Sequence, residues 1–422
     1  MALDLSLHPC FNKDTRHKTG RVHLPVAPKC NVQCNYCDRK YDCVNESRPG
    51  VTSVVLEPRQ ALAYLDEVVA RMPQLKVVGI AGPGDPFASP DETLETMRLV
   101  REKYPEMLLC VSSNGLNLAP YAKDLAALQV SHVTVTLNAI DPAIAAKIYS
   151  WVRDRKLMYR GEQAAEILLQ RQIESIKAVK AAGVTLKINT ILIPGVNDDH
   201  VELVAEEMKA LGADLMNCIP LLPVAGTPFG ELEKLSVPEV RDIRTKVAAV
   251  IPQMEHCARC RADAVGLLGD DKSAELVTVM QAAANGQLDD RGGRPYVAVA
   301  TMEGILINQH LGEADKFWIF EYDEIEPKLV AMREAPEPGD GNLRWRELAE
   351  MLTDCHTVLV SGVGRKPRWV MEQTGLRVME ASGLIASAME ALYRTGDLPA
   401  AMKKTFKSCS SSGCQGTGAG CA

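Results

Sequence analysis

The chain has 422 residues, a formal net charge of -7 and 46% hydrophobic residues. This length predicts two or three domains, and an acidic balance without a long basic run argues against a nucleic acid as the main partner. We expect a cytoplasmic protein that does not enter a membrane, because the sequence has neither a signal-type start nor an apolar run of spanning length. In a reducing compartment, 13 cysteines indicate bound metal rather than disulfide bonds.

From residue 21 onward, short apolar strands alternate with longer amphipathic helices, which is the pattern of β-α units. The predicted strands cover residues 21–26, 75–81, 107–112, 132–137, 184–192 and 214–220. The predicted helices cover residues 59–72, 91–103, 162–182, 200–211 and 238–250. Six such units predict an α/β fold in which a parallel sheet curls into a partial (β/α)6 barrel. In parallel barrels the working face lies where the strands end, and most of the polar motifs fall in such loops.

The first predicted strand is followed by three cysteines, Cys30, Cys34 and Cys37, at C-x-x-x-C-x-x-C spacing, with Tyr36 just before the last. Three thiolates can hold three irons of a 4Fe-4S cluster and leave the fourth iron open to bind another molecule. A structural zinc site is the alternative, but such sites usually take four ligands. The spacing and the aromatic residue resemble the radical S-adenosylmethionine (SAM) superfamily, in which the open iron chelates SAM.

Loops after the next strands supply candidate SAM-binding residues. Residues 81–86 read Ala-Gly-Pro-Gly-Asp-Pro, where Gly82 and Gly84 let the backbone approach a ligand closely. The resemblance implies that this loop receives the amino group of SAM, with Asp85 as its acidic residue, although the same residues also suit an ordinary turn. Further SAM-binding candidates, each also explicable as a packing, cap or turn residue, are Tyr36, Ser113, Asn114, Asn138 and Asn189.

The other candidate metal ligands are scattered thiols, one C-x-x-C pair and one His-Pro-Cys triplet. They are His8, Cys10, Cys43, Cys110, Cys257 and Cys260. Alternation along the third strand puts Cys110 on the same face as Ser112, so the two side chains share an orientation. Together with residues 45–50 behind Cys43, these motifs resemble the NifB family of radical SAM maturases over about residues 8–265.

This resemblance implies that two further 4Fe-4S clusters are the substrates, which makes three clusters in all. The implied ligands are His8, Cys43 and Cys110 for the first set, and Cys10, Cys257 and Cys260 for the second set. It also implies that SAM donates a methyl group to a sulfide, and that a second SAM is cleaved to a radical that abstracts hydrogen from this methyl group. The methyl carbon then becomes a carbide as the clusters fuse and take up one more sulfur. Glu46 and Arg48 would steady the clusters or move protons, or else lie in a solvated loop.

A polar, glycine-rich stretch precedes a second α/β unit of roughly 100 residues. Its predicted strands cover residues 296–302, 317–322 and 356–360, and its predicted helices cover residues 344–353 and 384–394. It resembles the smaller NifX-like domains that carry nitrogenase cofactor precursors, with His310 and Cys355 as soft donors to a bound cluster or as ordinary packed residues. The predicted division is an N-terminal ligand segment (1–20), the barrel (21–268), a linker (269–294), the NifX-like domain (295–400) and a flexible tail (401–422).

The implied partners are nitrogenase-cofactor assembly proteins, cluster-delivery proteins, a product carrier and an electron donor. Two other functions stay open on the residues. Another radical SAM enzyme with auxiliary clusters would usually have its extra cysteines after the barrel. A non-enzymatic cluster scaffold would not need a cysteine triad that leaves one iron open.

Overall fold

The structure is a computed structural model. It describes residues 3–38, 52–285, 288, 294–323, 325–337, 343–395 and 397–403. The chain forms two compact units, with the division between Ala284 and Asn285. The finer five-part division stays a prediction. Within the described residues, none of the helices combines the length and the apolar character that crossing a bilayer requires.

The first unit is built on strands that carry the cavity described below. In chain order they are β1 (Gly20–His23), β2 (Val32–Cys34), β3 (Leu75–Ile80), β4 (Leu108–Ser113), β5 (Val130–Thr136), β6 (Tyr149–Asp154), β7 (Leu157–Tyr159), β8 (Thr185–Leu192), β9 (Leu215–Pro220), β10 (Val265–Leu267) and β11 (Asp270–Asp271). Eight of them form a curled sheet in the order β11-β10-β1-β3-β4-β5-β8-β9. The strands from β1 to β9 in this sheet pair in parallel, which confirms the predicted partial barrel.

The helices between these strands begin at residues that favour helix starts. They are α1 (Pro58–Arg71), α2 (Pro90–Lys103), α3 (Ala122–Ala127), α4 (Pro142–Ile148), α5 (Gly161–Ala181), α6 (Val201–Ala210), α7 (Val237–Val250) and α8 (Ser273–Ala284). At the start of α7, Ser236 Oγ accepts from the Glu239 amide and the Glu239 carboxylate accepts from the Ser236 amide, at 3.4 and 2.7 Å. This reciprocal capping box satisfies two amides that the helix cannot pair internally.

A separate three-stranded sheet, β2-β6-β7, was not predicted. It pairs β2, inside the cysteine motif, with β6, so that Val32 lies opposite Val152 and Cys34 lies opposite Tyr149. The Asn35 amide also donates to the Ile148 carbonyl at 2.8 Å. The cysteine motif is therefore anchored to the barrel by a sheet of its own.

The parallel strands present one set of alternate side chains to the inside of the barrel and the other set to the helices. The outward set is apolar and buried, and includes Val22, Val78, Val133 and Ile188. The inward set is largely polar and includes Arg21, His23, Gly79, Cys110, Ser112, Thr134, Thr136, Lys187, Asn189 and Asn217. Because side chains alternate along each strand, an apolar core and a polar interior arise from the same strands.

The second unit is a five-stranded sheet with an apolar core on each face. Its elements are β12 (Tyr296–Val299), β13 (Leu306–Ile307), β14 (Lys316–Tyr322), β15 (Pro327–Glu334), α9 (Leu343–Met351), β16 (Cys355–Val360), α10 (Arg365–Glu372), β17 (Arg377–Glu380), β18 (Gly383–Leu384) and α11 (Ile385–Thr395). The sheet order is β15-β14-β12-β16-β17. One core contains Phe317 and Trp345, and the other contains Leu359 and Met389. The predicted α/β class of this unit is confirmed, while β15 and β17 were not predicted.

Candidate active site

A cavity of about 260 Å³ lies inside the barrel of the first unit. Its lining includes every predicted cluster ligand that the structure describes, namely His8, Cys10, Cys30, Cys34, Cys37, Cys110, Cys257 and Cys260. The remaining predicted ligand, Cys43, lies outside the described residues, as do Glu46 and Arg48. Residues that are far apart in sequence therefore face one shared space.

The described thiols of this cavity are free cysteines. No group of three His, Cys, Asp or Glu side chains in the described part of the chain is arranged to hold a single metal ion. In a 4Fe-4S cluster each thiolate binds a different iron, so its ligands stand further apart than the ligands of one ion. Seven thiols and the imidazole of His8, all among the described residues, line the cavity, and such donors are the ligands of iron-sulfur clusters.

The cysteine motif is held in shape by its own side chains. Gln33 Nε2 donates to the carbonyls of Cys34 and Cys37, at 3.1 and 3.0 Å. The Cys37 amide donates to the Cys34 carbonyl at 3.1 Å, which closes a tight turn between the two cysteines. These bonds fix the backbone of the motif, and the backbone in turn fixes the points from which the three cysteine side chains project.

The glycine-rich loop after β3 packs directly on the segment that leads into this motif. The Gly84 amide donates to the Ala27 carbonyl at 2.6 Å, and the Asp85 amide donates to the Lys29 carbonyl at 2.7 Å. A Cβ atom at Gly84 would lie 2.9 Å from the Ala27 oxygen and closer still to the Lys29 carbonyl. Gly84 is required here by this close approach of two backbones.

Asp85 connects that loop to the end of β4. Its carboxylate accepts from Ser113 Oγ at 3.0 Å, from the Asn114 amide at 2.6 Å and from the Phe87 amide at 2.9 Å. Burial raises the pKa of Asp85, while these hydrogen bonds act in the opposite direction. Protein donors thus engage both carboxylate oxygens, and the contact of Asp85 with the amino group of SAM stays a prediction.

Two of the predicted SAM-binding residues do not reach the cavity lining. Gly82 is not part of the lining, and its φ of +148° is a conformation that favours glycine. Asn138 is fully buried, and its Nδ2 donates to the hydroxyls of Tyr36 and Tyr149 at 3.0 and 3.1 Å. Its Oδ1 accepts from the Ile191 amide at 2.8 Å. In this structure Asn138 positions Tyr36, which does line the cavity, instead of facing the cavity itself.

The other predicted SAM-binding residues do line the cavity; they are Tyr36, Gly84, Asp85, Ser113, Asn114 and Asn189. Asn114 Nδ2 donates to Asn31 Oδ1 at 2.7 Å and lies 3.8 Å from Cys30 Sγ. Asn189 Oδ1 accepts from Asn217 Nδ2 at 3.2 Å. Amide groups thus stand beside the first cysteine of the motif and on β8 and β9, the last two strands at one edge of the sheet.

His8 is buried at the opposite end of the strands from the cysteine motif, where its ring packs against Phe11 and His132 with centroids 5.0 and 4.4 Å apart. Its Nδ1 accepts from the Cys10 amide at 3.2 Å, whereas its buried Nε2 has no hydrogen-bond partner among the residues that the structure describes. Burial lowers the pKa of His8 well below its usual range, so the ring is neutral. A ligand in the cavity would supply the missing partner, and a metal at Nε2 would require the ring proton to move to Nδ1 and the Cys10 bond to break.

The three cysteines of the second set converge here. Cys10 interacts electrostatically with Cys260 and Cys257, and burial raises its pKa to about 11. Arg21 donates to Cys260 Sγ from two guanidinium nitrogens, at 3.3 and 3.1 Å. Cys110 interacts with Cys10 and Cys260, and burial raises its pKa to about 12. Thiols in such surroundings stay protonated at neutral pH until a metal displaces the proton.

Comparison with known proteins identifies the family of the chain. Residues 24–208 match the radical SAM superfamily, and residues 294–395 match the dinitrogenase iron-molybdenum cofactor family. The FeMo cofactor biosynthesis protein NifB of Chlorobaculum tepidum is 52% identical over 423 residues, which cover 100% of both chains. The chain belongs to the NifB family.

Other members of the NifB family are also similar along most of their length. The protein of Klebsiella pneumoniae is 39% identical, with 94% of this chain and 92% of that one covered. The protein of Azotobacter vinelandii is 37% identical, with 92% and 88% covered. The resemblance inferred from the motifs is therefore confirmed at the level of the family.

The cavity also contains polar residues that were not predicted from the motifs. They include Arg21, His23, Lys187 and Asn217. His23 Nδ1 lies 2.8 Å from the Arg261 carbonyl, and a Cβ at Gly79 would lie 2.8 Å from the His23 ring and 2.9 Å from Cys110 Sγ. Strand alternation was the available signal, because Lys187 stands two residues before Asn189 and so shares its face.

The NifX-like unit separates its two candidate donors. Cys355 is fully buried at the start of β16, where burial raises its pKa to about 12. His310 caps a turn beside Gly362, just beyond the other end of β16. Seven residues of extended chain span about 23 Å, so these two side chains cannot bind one cluster together. Cys355 is a core residue in this structure, whereas His310 is only partly buried.

Proposed function

We propose that the chain is a radical SAM enzyme that fuses two 4Fe-4S clusters with a SAM-derived carbide and one added sulfur. The product would be the iron-sulfur-carbide precursor of the nitrogenase cofactor. The observation that carries this proposal is the shared cavity, which is lined by the cysteine motif and by all described residues of both substrate ligand sets. Membership of the NifB family supports the same reading.

In this proposal Cys30, Cys34 and Cys37 hold the resident cluster, which when bound would supply the electron that cleaves SAM. Asn114 beside Cys30 and the backbone of the glycine-rich loop orient SAM at this end of the cavity. The first set (His8, Cys43, Cys110) and the second set (Cys10, Cys257, Cys260) hold the substrate clusters. Binding all reactants inside one cavity excludes water and keeps the reacting groups near each other.

The incomplete protein ligation of the substrate clusters suits their release. Three protein ligands leave one iron of each cluster open to form new bonds during fusion. An imidazole such as that of His8 can also be displaced by a proton, which a thiolate bound to iron resists more strongly. His8 would therefore be the first protein ligand to leave.

The remaining parts of the proposal concern other molecules. Cluster-delivery proteins and an electron donor would act on the first unit, and a carrier would accept the product. The NifX-like unit would hold or deliver that product. A cytoplasmic location stays a prediction.

The ligand sets can be tested one at a time with Cys30→Ala, Cys110→Ala and Cys257→Ala variants of the full chain. Each protein is reconstituted under anaerobic conditions with ferrous iron and sulfide, and its iron content and paramagnetic resonance spectrum are measured. Each variant should lose about one third of the iron and a different cluster signal. Cys218→Ala is the matched control, because Cys218 is a buried cysteine of β9 that does not line the cavity.

SAM labelled in its methyl carbon then tests the chemistry. The label should enter a cluster product in the wild-type protein and in Cys218→Ala, and in none of the three other variants. A wild-type protein that binds a single cluster would overturn the proposal. SAM cleavage without transfer of the label to a cluster would favour another radical SAM enzyme with auxiliary clusters.

A further inference from the structure

Lys187 is a buried cation that the predicted motifs do not use. It lies on β8, is 7% exposed and lines the cavity. In the part of the chain that the structure describes, no carboxylate pairs with its amino group. The amino group lies instead over the ring of Phe11, with Nζ 5.4 Å from the ring centroid. The ammonium group is thus directed into the cavity without an anion of the described residues beside it.

The surroundings of Lys187 belong to the end of the cavity that carries both substrate ligand sets. Phe11 follows Cys10 directly, and its ring packs against His132 at 4.2 Å between centroids. The charge of Lys187 acts electrostatically on Cys10, Cys110 and His8. Its side chain therefore stands where members of the first and second sets come together.

An uncompensated ammonium group inside a protein is unfavourable, because burial removes its hydration. A methionine would fill the same space with a similar unbranched side chain and without this cost. The charge at position 187 is therefore explained best by an anion that arrives with the ligand. Iron-sulfur clusters bound by thiolates are anions, and donors near their sulfur atoms alter their potentials and stability.

The carboxylate of SAM is a less suitable partner. The predicted SAM-binding residues Asp85 and Asn114 lie beyond the ends of β3 and β4, next to Cys30. Lys187 is the third residue of β8 and pairs with Thr134 in the middle of β5. Lys187 thus lies deeper along the strands than the SAM-binding loops.

We propose that Lys187 binds the sulfide face of the iron-sulfur substrate between the two ligand sets and supplies its counter-charge. This inference rests on the proposed function, because it requires clusters at those sets. Lys187 is a substrate-binding residue in this account, and it makes no contact with the resident cluster. In the cluster-free protein the buried charge of Lys187 destabilises the fold. In the loaded protein the same charge stabilises the bound cluster.

Two variants test this role in the full chain. Lys187→Met removes the charge at similar volume, and Lys187→Arg retains it. Each is made in two backgrounds, one in which Cys30, Cys34 and Cys37 are replaced by Ala and one in which Cys10 and Cys110 are replaced by Ala. After anaerobic reconstitution with ferrous iron and sulfide, redox titration followed by paramagnetic resonance gives the cluster potentials.

In the first background Lys187→Met should shift the potentials to more negative values, because a nearby cation stabilises the reduced, more anionic cluster. Lys187→Arg should restore the wild-type values, and the second background should show no shift. Thermal unfolding of cluster-free protein provides a second readout. There Lys187→Met should be at least as stable as wild type, whereas a merely structural lysine would leave it less stable.

The outcomes separate the two levels of the proposal. If the first background binds clusters and Lys187→Met leaves their potentials unchanged, the role of Lys187 is overturned but the proposed function is not. Equal shifts in both backgrounds, or a cluster-free Lys187→Met protein that is destabilised, also overturn it. A first background that binds no cluster at all, with lysine kept at position 187, overturns the proposed function and this inference together.

Discussion

Replacement of Gly84 by alanine should disconnect the glycine-rich loop from the cysteine motif. The added Cβ would lie 2.9 Å from the Ala27 oxygen and nearer to the carbonyl of Lys29, and both are backbone atoms. Backbone atoms cannot rotate away as a side chain does, so the loop or residues 27–29 must move. Cys30 follows this segment directly, and its position should change as well.

The size of the effect follows from the bonds that this movement breaks. The Gly84 amide donates to Ala27 and the Asp85 amide donates to Lys29, at 2.6 and 2.7 Å. Each buried group left without a partner costs about 1–3 kcal/mol, so two such losses destabilise the protein by about 2–6 kcal/mol. The free energy of unfolding of a typical domain is only about 5–15 kcal/mol, so this loss is a large part of it.

The assay compares Gly84→Ala with Gly183→Ala in the full chain. Gly183 has φ +76°, and a Cβ atom added there would meet no other atom within 4 Å, so alanine adds backbone strain of about 1–2 kcal/mol without a clash. Both variants should unfold at lower denaturant concentration, but only Gly84→Ala should lose the signal of the Cys30 cluster and the affinity for SAM. A Gly84→Ala protein with wild-type stability and an intact cluster would refute the close packing of these two segments.

Two further substitutions test residues that position others. Arg21→Met should weaken or abolish the cluster at Cys260 and destabilise the cluster-free protein by about 1–3 kcal/mol, since it removes donors to Cys260 Sγ and to the Gly266 carbonyl. Arg21→Lys should restore part of the cluster signal in paramagnetic resonance, and identical spectra for both variants would contradict this. Asn138→Ala should cost about 1–3 kcal/mol in urea unfolding for each buried partner left unsatisfied, Tyr36 among them, and unchanged unfolding would contradict the positioning role.

The order of the main strands was predictable because it depends on local alternation and on parallel β-α units. The residues at which these strands end were harder to predict. Residues 21–26 were predicted as one strand, but β1 ends at His23. Pro25 has no amide to donate, and the Leu24 amide is the last of this segment to bond to β3, at the Gly79 carbonyl. Pro25 is visible in the sequence, so the predicted strand was extended past a residue that ends the pairing.

The small sheet beside the cysteine motif shows the limit of local patterns. Its β6 contains the charged residues Arg153 and Asp154, so β6 and β7 would not be recognised as a buried hairpin. The strand β6 is stabilised by pairing with β2, which lies more than a hundred residues earlier in the chain, and β7 pairs with β6. Such non-local pairing depends on the tertiary structure, and no periodicity in either segment indicates it.

Most ligand residues at the substrate end of the cavity could be predicted from the sequence. Their position along the strands could not. The sequence suggested polar loops at the ends of the strands, where parallel barrels usually carry their sites. His8 and the segment around Cys260 instead approach the first halves of the strands, near Cys110, Arg21 and Lys187. Lys187 was overlooked because a lysine usually marks a solvated face, and only the barrel reveals that this face is enclosed.

The length of the cavity along the strands bears on the proposed chemistry. From Cys110 to Asn114, four residues of β4 and its loop span about 13 Å, so the two ends of the cavity are separate binding regions. In the proposed function, carbon from SAM at one end would have to reach clusters at the other end without meeting water. At the level between Cys110 and Asn114 the lining includes Ile80 and Val111, which pair with each other and whose apolar side chains cannot donate a hydrogen bond or a proton. Inert side chains thus stand along the path, and a polar substitution at Ile80 would interrupt that path without replacing a ligand of either set.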